Sequence, residues 1–378
     1  TLILSSIAVV IGIYGITDLK VGHDPIYWFG EDVPVRQASF LLDDEFKGSM
    51  RTSILIRAPG ERGIKDRELL VALEAFEAHL TAFEDPKTGR PMVGGVTSIV
   101  DIVKETHRAL LGGEDNYRIP DTERGVSDML FLFENAGPQQ LRDFATIDLK
   151  KTVMQVACEG REASEYGPFI AHIKAGIQTH FTPLGTEHVS IALTGGVPMF
   201  YSVVTSLIDD LIRSFGTALA LITLMMIGFL GSIKLGLLAM VPNLTPIVLV
   251  TGFMGYAGIE VDLNNLLIAS IVIGIAVDDT IHLLHHIRHH LDRGESVETA
   301  LEYSRRDAGK AVVSTSLILM AGFFCFTAGS TLPLVRFGLL VSLAITMALA
   351  VDLIALPALL RLVYTKRPSL KAASLHAD

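Results

Sequence analysis

The sequence has little charge, and the charge that it has is unevenly spread. Only 19% of its 378 residues are Asp, Glu, Lys or Arg, 50% are hydrophobic, and the mean hydropathy is +0.46. This balance excludes an ordinary soluble protein, and the remaining charge excludes a chain that lies entirely in a membrane. Five runs contain no charged side chain: 1–17, 214–233, 235–259, 263–277 and 311–335.

A sixth run, residues 337–360, carries a single charge, Asp352. Because roughly 20 apolar residues span about 30 Å of hydrocarbon, the six runs predict six membrane helices. The first run lacks the basic start and the small-residue cleavage site of a secretion signal, so we interpret residues 1–17 as a membrane helix. The chain starts at Thr1 rather than Met, and we expect it to be cut from something longer.

Cysteine is almost absent, which excludes a scaffold held together by several disulfide bonds. Cys158 lies in a predicted strand and Cys325 in a predicted membrane helix. We therefore expect them to be free, buried thiols that do not pair.

Residues 18–205, between the first and second runs, have the composition of a soluble domain. From residue 20 onward this segment holds 27 acidic and 19 basic residues. Strand, helix, strand, then helix and strand follow one another in the pattern of an α+β split-βαβ sandwich. The predicted strands are "RTSILIRA" (51–58), "TVMQVACE" (152–159) and "HVSIALTGG" (188–196), and the main helices are 64–83 and 164–182.

Residues 206–363 are predicted to hold membrane helices 2 to 6. Pro198 opens helix 2, which continues from the domain into the membrane. Helix 3 contains Pro242 and Pro246, which should kink it. The remaining predictions are helix 4 at 263–286, a surface helix at about 296–310 capped by Ser296, helix 5 at 311–329, helix 6 at 335–363 and a tail at 364–378.

Basic residues predict the orientation of these helices. Ten of them fall in segments that share one side, namely around Lys234, in 285–310 and from Arg361 into the tail, whereas the short loops of the other side hold only Arg336. Cytoplasmic loops are enriched in Lys and Arg. We therefore expect a cytoplasmic tail and an extracytoplasmic domain at 18–205.

Three acids interrupt the apolar runs: Asp278, Asp279 and Asp352. Asp278 lies 15 residues after Leu263, which is roughly 22 Å along a helix and still inside the hydrocarbon. Each acid there costs roughly 2.5–3.5 kcal/mol, so we expect all three to face other helices or a wet cavity. Two neighbouring carboxylates are hard to ionise together in a low dielectric, so one can bind a proton from outside and release it to the cytoplasm.

Several neighbours are candidates for assisting these acids. His282 follows Asp278 by one helical turn and would extend a proton relay, and Gly274 precedes it by one turn and would let another helix approach. The hydroxyls of Ser314, Thr315 and Ser316 on helix 5 are candidate hydrogen-bond partners. The alternative, in which the acids only join helices by hydrogen bonds, stays open and is strongest for Asp352.

The stretch "GIAVDDTIHLLHH" (274–286) resembles the fourth membrane helix of the resistance-nodulation-division (RND) superfamily. "VSIALTGGVPMF" (189–200) resembles that family's passage from its last porter strand into helix 2, and "VDLIALPALL" (351–360) resembles the end of its sixth helix. One helix, a large external domain and five further helices match one half of such a transporter.

This resemblance implies a proton-driven secondary transporter, not an enzyme, in a bacterial inner membrane with a periplasmic porter-like domain. The short external domain favours the branch that resembles MMPL and hopanoid transporters, which move lipids or other hydrophobic molecules. The coupling ion would be the proton, with Asp278 and Asp279 as its relay, and no cofactor, metal or nucleic acid is implied. Because the family works with two halves, a second half in the same polypeptide or another copy of the chain would complete it. The counter-charge of the acids would then lie there, as no Lys or Arg of the six predicted spans lies at their depth.

Four other interpretations remain. His282, His286 and His290, or His285 and His289, have a spacing that can bind zinc. Asp278 and Asp352 could form an aspartyl protease dyad, although a GxGD motif is absent. The helices could also be a sterol-sensing-like sensor or scaffold without transport, or a protein-export accessory of the SecD/SecF kind.

Overall fold

The structure, a computed structural model, describes residues 2–20, 22, 24–185 and 189–364. Two compact units divide the chain: a sheet domain, Asp24–Ser206, and a helical unit formed by Thr1–His23 and Leu207–Asp378. From residue 365 onward the predicted tail, with its basic residues Lys366, Arg367 and Lys371, lies outside the described residues.

The sheet domain is a four-stranded antiparallel sheet with strand order β2-β3-β1-β4. Its elements in chain order are α2 (Pro34–Phe46), β1 (Met50–Arg57), α3 (Arg67–Thr81), β2 (Val93–Thr97), α4 (Ile99–Leu111), α5 (Glu123–Ala136), α6 (Pro138–Arg142), β3 (Lys151–Cys158), α7 (Tyr166–Phe181) and β4 (Ser190–Gly195), after the short α1 (Leu2–Ile16) of the helical unit. The units β1-α3-β2 and β3-α7-β4 are two split βαβ motifs.

Alternation of apolar residues explains why the predicted strands form. Ile54 and Ile56 of β1 and Met154 and Val156 of β3 are fully buried on one face of the sheet, as a period of two requires. Phe76 of α3 packs in the same core. The predicted strands β1, β3 and β4 and the two main helices are confirmed, with ends that differ by one to three residues.

Strand β2 was not predicted. Its sequence, "VGGVT", reads as a turn because glycine is depleted in strands. In the structure β2 pairs with β3 through a register shift between Val93 and Gly95. The backbone of Phe46 comes so close to Gly94 that a Cβ there would overlap its carbonyl oxygen. Close backbone approach, which sequence periodicity does not record, explains the glycine.

Among the described residues, five helices are long and apolar enough to cross a membrane. The helix α8 (Gly196–Leu230) begins in the sheet domain and continues into the helical unit. The elements that follow are α9 (Ile233–Tyr256), α10 (Leu263–Asp292), α11 (Val297–Phe324), α12 (Leu332–Ala350), a π-helical turn (Val351–Ala355) and α13 (Leu356–Tyr364). The prediction of a helical membrane portion is confirmed, but six spans are not, because α1 has only 15 residues.

Helix α1 packs against α9 through backbone contacts. A Cβ on Gly255 would overlap the carbonyl oxygen of Gly15, and one on Gly252 would overlap that of Gly12. Tyr256 Oη also donates a hydrogen bond to the Ile11 carbonyl at 2.9 Å. Small residues therefore let these two helices approach closely, as in other membrane helix pairs.

The surface helix predicted at 296–310 does not exist as a separate element. Ser296 caps a helix as predicted, accepting a hydrogen bond from Thr299 N at 3.2 Å, but this helix runs unbroken from Val297 to Phe324. No proline or glycine pair interrupts the sequence around residue 310, and Ser304 Oγ bonds to the Leu283 carbonyl at 3.1 Å. The contact with α10 therefore favours one continuous helix, in which the first turns of α11 share the axis of the later turns.

Glu77 makes the sheet domain sensitive to pH. It accepts a hydrogen bond from the Ser98 hydroxyl at the start of α4, and burial raises its pKa from 4.5 to about 7. The folded domain thus holds this proton more tightly than the unfolded chain, so stability falls as the pH rises from about 4.5 to about 7. The loss is at most about 3 kcal/mol.

We expect amide exchange in α3 and α4, corrected for intrinsic rates, to be faster at pH 8 than at pH 5. The variant Glu77→Gln should remove most of this difference, because it keeps an acceptor for Ser98 but never ionises. Glu84→Gln, at an exposed position, is the matched control. Equal pH dependence in both variants would show that Glu77 is not the responsible group.

Candidate functional site

Asp279 is the acid of the adjacent pair that points into the helical unit. It is buried, and its Oδ2 accepts a hydrogen bond from Ser316 Oγ of α11 at 3.3 Å. In the described part of the chain no Lys or Arg forms an ion pair with it. A neutral hydroxyl is thus the observed partner of a carboxyl group in an apolar bundle.

Asp278 points the other way, because successive residues on a helix are about 100° apart. Its side chain is 76% exposed and lies 3.8 Å from His282 Nε2, whose side chain is 66% exposed. Gly274, one turn earlier, is also exposed, and a Cβ there would have no neighbour within 4 Å. The helix expected to approach Gly274 is therefore not found among the described residues.

Asp352 belongs to a buried polar network that joins three elements. It lies in the π-helical turn between α12 and α13, where its side chain is 2% exposed. Thr280 Oγ1 of α10 lies 2.9 Å from Asp352 Oδ1 and 2.7 Å from Asn243 Oδ1 of α9, and Asn243 and Thr280 are fully buried. Single π-helical turns in long helices occur often at functional sites.

The hydrogen bonds of this network can run in two directions, because Thr280 lies between two acceptor oxygens. Thr280 has one hydroxyl proton, so it donates to only one of its two neighbours. If it donates to Asn243, Asp352 must be protonated and donate to Thr280. If it donates to an ionised Asp352, the Asn243 amide must turn and donate to Thr280. Among the described residues, Asn243 Nδ2 and Asp352 Oδ2 have no hydrogen-bond partner, so the amide and the carboxyl group can each form a further hydrogen bond.

Ser314 and Thr315 do not reach the acids, which corrects two predicted contacts. Both are exposed, and their hydroxyls donate to carbonyls of their own helix, Ser314 to Lys310 at 2.9 Å and Thr315 to Val312 at 3.0 Å. Three consecutive residues cover most of the circumference of a helix, so only one of them, Ser316, can face α10.

His290 of α10, one of the histidines with zinc-like spacing, has two protein partners. His290 stacks on Tyr303 with ring centroids 4.9 Å apart, and its Nδ1 lies 3.0 Å from Glu295 Oε2. Among the described residues there is no group of three or more His, Cys, Asp or Glu side chains that could hold a metal ion. The helix also extends to Asp292, six residues beyond the predicted end.

A protease dyad of Asp278 and Asp352 is not formed. Asp278 is exposed on the outer face of α10, whereas Asp352 is buried against Thr280 on the inner face. The two carboxyl groups therefore do not share a site where one water molecule could lie between them.

Sequence reasoning did not identify Asn243 and Thr280. A signal for both was present, since each is a polar residue within or beside an otherwise apolar membrane run, and such residues commonly bond across helices. Asn243 also follows Pro242 directly. The sequence did not show that α9 and the end of helix 6 both meet α10 at Thr280.

Comparison with known proteins places these acids in a family context. The model of the AcrB/AcrD/AcrF family matches residues 201–376, which include all the membrane acids. A membrane protein of Methanocaldococcus jannaschii is 24% identical over 346 residues, covering 87% of this chain and 81% of its own length.

Two multidrug resistance proteins MdtC, from Yersinia pestis and Yersinia pseudotuberculosis, are each 27% identical over 252 residues, or 62% of this chain. The match covers only 24% of the length of these MdtC proteins. The long apolar helices and these relatives show a multi-pass membrane protein, and from residue 201 to residue 376 the chain is similar to the AcrB/AcrD/AcrF family of the RND superfamily.

Proposed function

We propose that this chain is one half of a proton-driven transporter that exports or transfers a hydrophobic or lipid-like substrate. It acts in a bacterial inner membrane, with the sheet domain outside the cytoplasm. The observation that carries the proposal is the pair of buried carboxyl groups, Asp279 and Asp352, which in the described residues are held by the neutral hydroxyls of Ser316 and Thr280. Without a fixed cation beside it, each can exist in a protonated and an ionised state.

Protonation alters the helix contacts in this scheme. An ionised Asp279 attracts the Ser316 hydroxyl strongly, and a protonated one less so, which changes how α10 packs on α11. At Asp352, the change of charge reverses the direction of donation through Thr280 to Asn243. A proton drives transport only if the two conformations differ in proton affinity. Since α8 is unbroken from Gly196 to Leu230, it links the helical unit covalently to the sheet domain.

A cavity in the sheet domain is evidence for the proposal that the substrate is hydrophobic. Its volume is about 420 Å³, and its apolar wall consists of Pro25, Ile26, Tyr27, Phe29, Phe40, Met50, Met199 and Phe200. Phe29 is one of four aromatic residues in this wall. Aromatic and methionine side chains adapt to varied apolar molecules.

The exposed face of α10 is evidence for the proposed second half. Gly274, Asp278 and His282 follow one another at intervals of four and form one stripe on the surface of this chain. A carboxyl group facing lipid at that depth would cost roughly 2.5–3.5 kcal/mol. A second set of membrane helices, from the other half of a two-half transporter or from another copy of this chain, would cover the stripe.

Proteoliposomes that contain the purified chain and an interior pH dye test the proposal. With the lipophilic dye Nile red as transported probe, we expect a pH gradient to drive probe movement, and probe addition to accelerate proton entry. A protonophore should stop the probe movement. If two copies pair, flux per chain should rise when vesicles hold several copies rather than one.

Probe binding without any proton movement, at either protein density, would contradict transport. That result would favour the alternative of a sterol-sensing-like sensor or scaffold.

A further inference from the structure

A second cavity lies in the helical unit, at the end of the bundle where α10 ends. Its volume is about 370 Å³. The loop between α8 and α9, the first turns of α9, the last turns of α10 and helix α13 enclose it. An apolar cavity of about 150 Å³ can hold benzene, so this space admits a longer hydrocarbon group. Most of its wall is apolar, with Leu235, Leu238, Ala239, Leu284, Leu356 and Leu360 among the lining residues.

The polar residues of the wall lie together at one end. Gly231 and Ser232 form the loop between α8 and α9, and Asp292 is the last residue of α10. Arg288 precedes Asp292 by about one turn, and its guanidinium donates a hydrogen bond to the Phe229 carbonyl near the end of α8. This bond holds the guanidinium beside the loop. The cavity therefore has a charged mouth and an apolar interior.

The mouth carries positive charge that reaches the surface. The Arg288 side chain is 48% exposed, and the bond to Phe229 uses only one of its five N–H donors. Its Nε lies 3.7 Å from Asp292 Oδ2, the single carboxyl group in the wall. Lys234 is exposed and precedes Leu238 by one turn, so it lies on the same side of α9. Two cations beside one carboxylate favour an anion at this mouth.

The position of the cavity along the helices indicates where its occupant comes from. Its walls from α9 and α13 belong to the charge-free run 235–259 and to the run 337–360, whereas Lys234 lies just outside the first of these. The mouth thus lies where the membrane helices leave the hydrocarbon, at the end that the basic residues predict to be cytoplasmic. Basic pockets between membrane helices on that side bind anionic lipid head groups.

We propose that this cavity binds one anionic phospholipid of the surrounding bilayer. Its phosphate accepts hydrogen bonds from Arg288 and pairs with Lys234, and part of one acyl chain packs against the leucines of the interior. An anion without a hydrocarbon chain would leave the apolar space empty, and an uncharged hydrocarbon would leave the two cations without a counter-ion. The site does not depend on transport.

The bound acyl chain would pack about one helical turn from the buried polar network. The same elements, α9, α10 and the π-helical turn with α13, form both the cavity and the network. Each contributes one residue to each, four positions apart: Ala239 and Asn243, Leu284 and Thr280, Leu356 and Asp352. Because the chain fills the space between these elements, lipid binding would stabilise the arrangement that brings the network together.

Native mass spectrometry of the full chain in detergent micelles tests this site. The probes are phosphatidylglycerol, which is anionic, and phosphatidylcholine with identical acyl chains. We expect the first equivalent of phosphatidylglycerol to bind at least about tenfold more tightly, because hydrogen bonds between charged groups are strong. Inorganic phosphate should not displace it, since it cannot fill the apolar space. A phosphatidylglycerol with a diazirine on its acyl chain should label the peptides of α9 and α13 that line the cavity.

Two sets of variants act on different features of the cavity. Arg288→Gln removes the charge of the mouth and should weaken binding of phosphatidylglycerol about tenfold, and Arg288→Lys should restore most of it. Ala239→Phe fills the apolar space, keeps both cations, and should abolish labelling of both peptides. Arg306→Gln is the matched control, since this exposed residue of α11 does not line the cavity, and it should bind like the wild type. If Ala239→Phe does not fold, the two variants of Arg288 still decide the question.

The opposite results would overturn the proposal. Equal affinity for the two phospholipids, or labelling unchanged by Ala239→Phe, would mean that lipid only surrounds the helices. Equal losses in Arg288→Gln and Arg306→Gln would mean that the general charge of this end attracts the lipid. Displacement by inorganic phosphate would leave an anion site at the mouth without an acyl chain in the cavity.

Discussion

Replacing Asp279 with asparagine is expected to abolish proton-coupled flux while the protein remains folded. The amide has nearly the same shape as the carboxyl group, and its oxygen can still accept the hydrogen bond from Ser316. It cannot bind or release a proton at physiological pH. Proton entry into proteoliposomes on probe addition should therefore fall to the level of empty vesicles.

Two matched variants separate this effect from a general loss of negative charge. Asp210→Asn removes an exposed carboxyl group of α8 outside the charge-free runs, and it should leave the flux unchanged. Asp278→Asn acts on the exposed stripe with His282, and we expect a partial loss of flux, since a relay through this stripe would also need the second set of membrane helices that we propose. Flux at the wild-type rate in Asp279→Asn would refute a role of this carboxyl group in coupling.

Replacing Thr280 with valine is expected to destabilise the helical unit by about 2–4 kcal/mol. Valine has the branched shape of threonine but no hydroxyl, so Asn243 and Asp352 would both lose their observed bond inside the bundle. Each buried polar group without a partner costs about 1–3 kcal/mol. The free energy of unfolding in mixed detergent micelles measures the loss, and proton-coupled flux should fall with it.

Thr245→Val is the matched control for this change. Thr245 is a buried threonine of α9 whose hydroxyl donates to the Val241 carbonyl of its own helix at 2.7 Å. Its loss should cost less than about 1 kcal/mol. Thr280→Ser should restore both stability and flux, because it keeps the hydroxyl. Similar losses in Thr280→Val and Thr245→Val would show that the network has no special role.

The acidic pair shows which part of the site the helical periodicity of the sequence predicts and which part it does not. Adjacent aspartates directly after the charge-free run 263–277 predicted a proton site, and helical geometry predicted that only one could face a given partner. The sequence did not identify which one, because that depends on which face of α10 meets α9 and α11. In the structure Asp279 faces Ser316, whereas Asp278 and Gly274 face outward.

Asp352 was underestimated from the sequence. From the sequence it was the acid with the strongest case for a purely structural role, a single charge near the end of a long apolar run. Its position in a π-helical turn and its contact with Thr280 were not predicted, since they depend on the packing of α12 and α13 against α10. The same applies to β2, where a glycine pair that signals a turn is used to bring two backbones together.

The sequence by itself determined that this chain has a helical membrane portion, a small α+β domain and acids inside its apolar helices. These features follow from hydrophobicity and period, which act locally along the chain. Only the tertiary structure decided that Asn243, Thr280 and Asp352 meet, that Ser316 rather than Ser314 or Thr315 faces Asp279, and that Arg288 borders an apolar cavity. Contacts between distant residues depend on how helices rotate and approach one another, and that is set by packing between elements rather than within them.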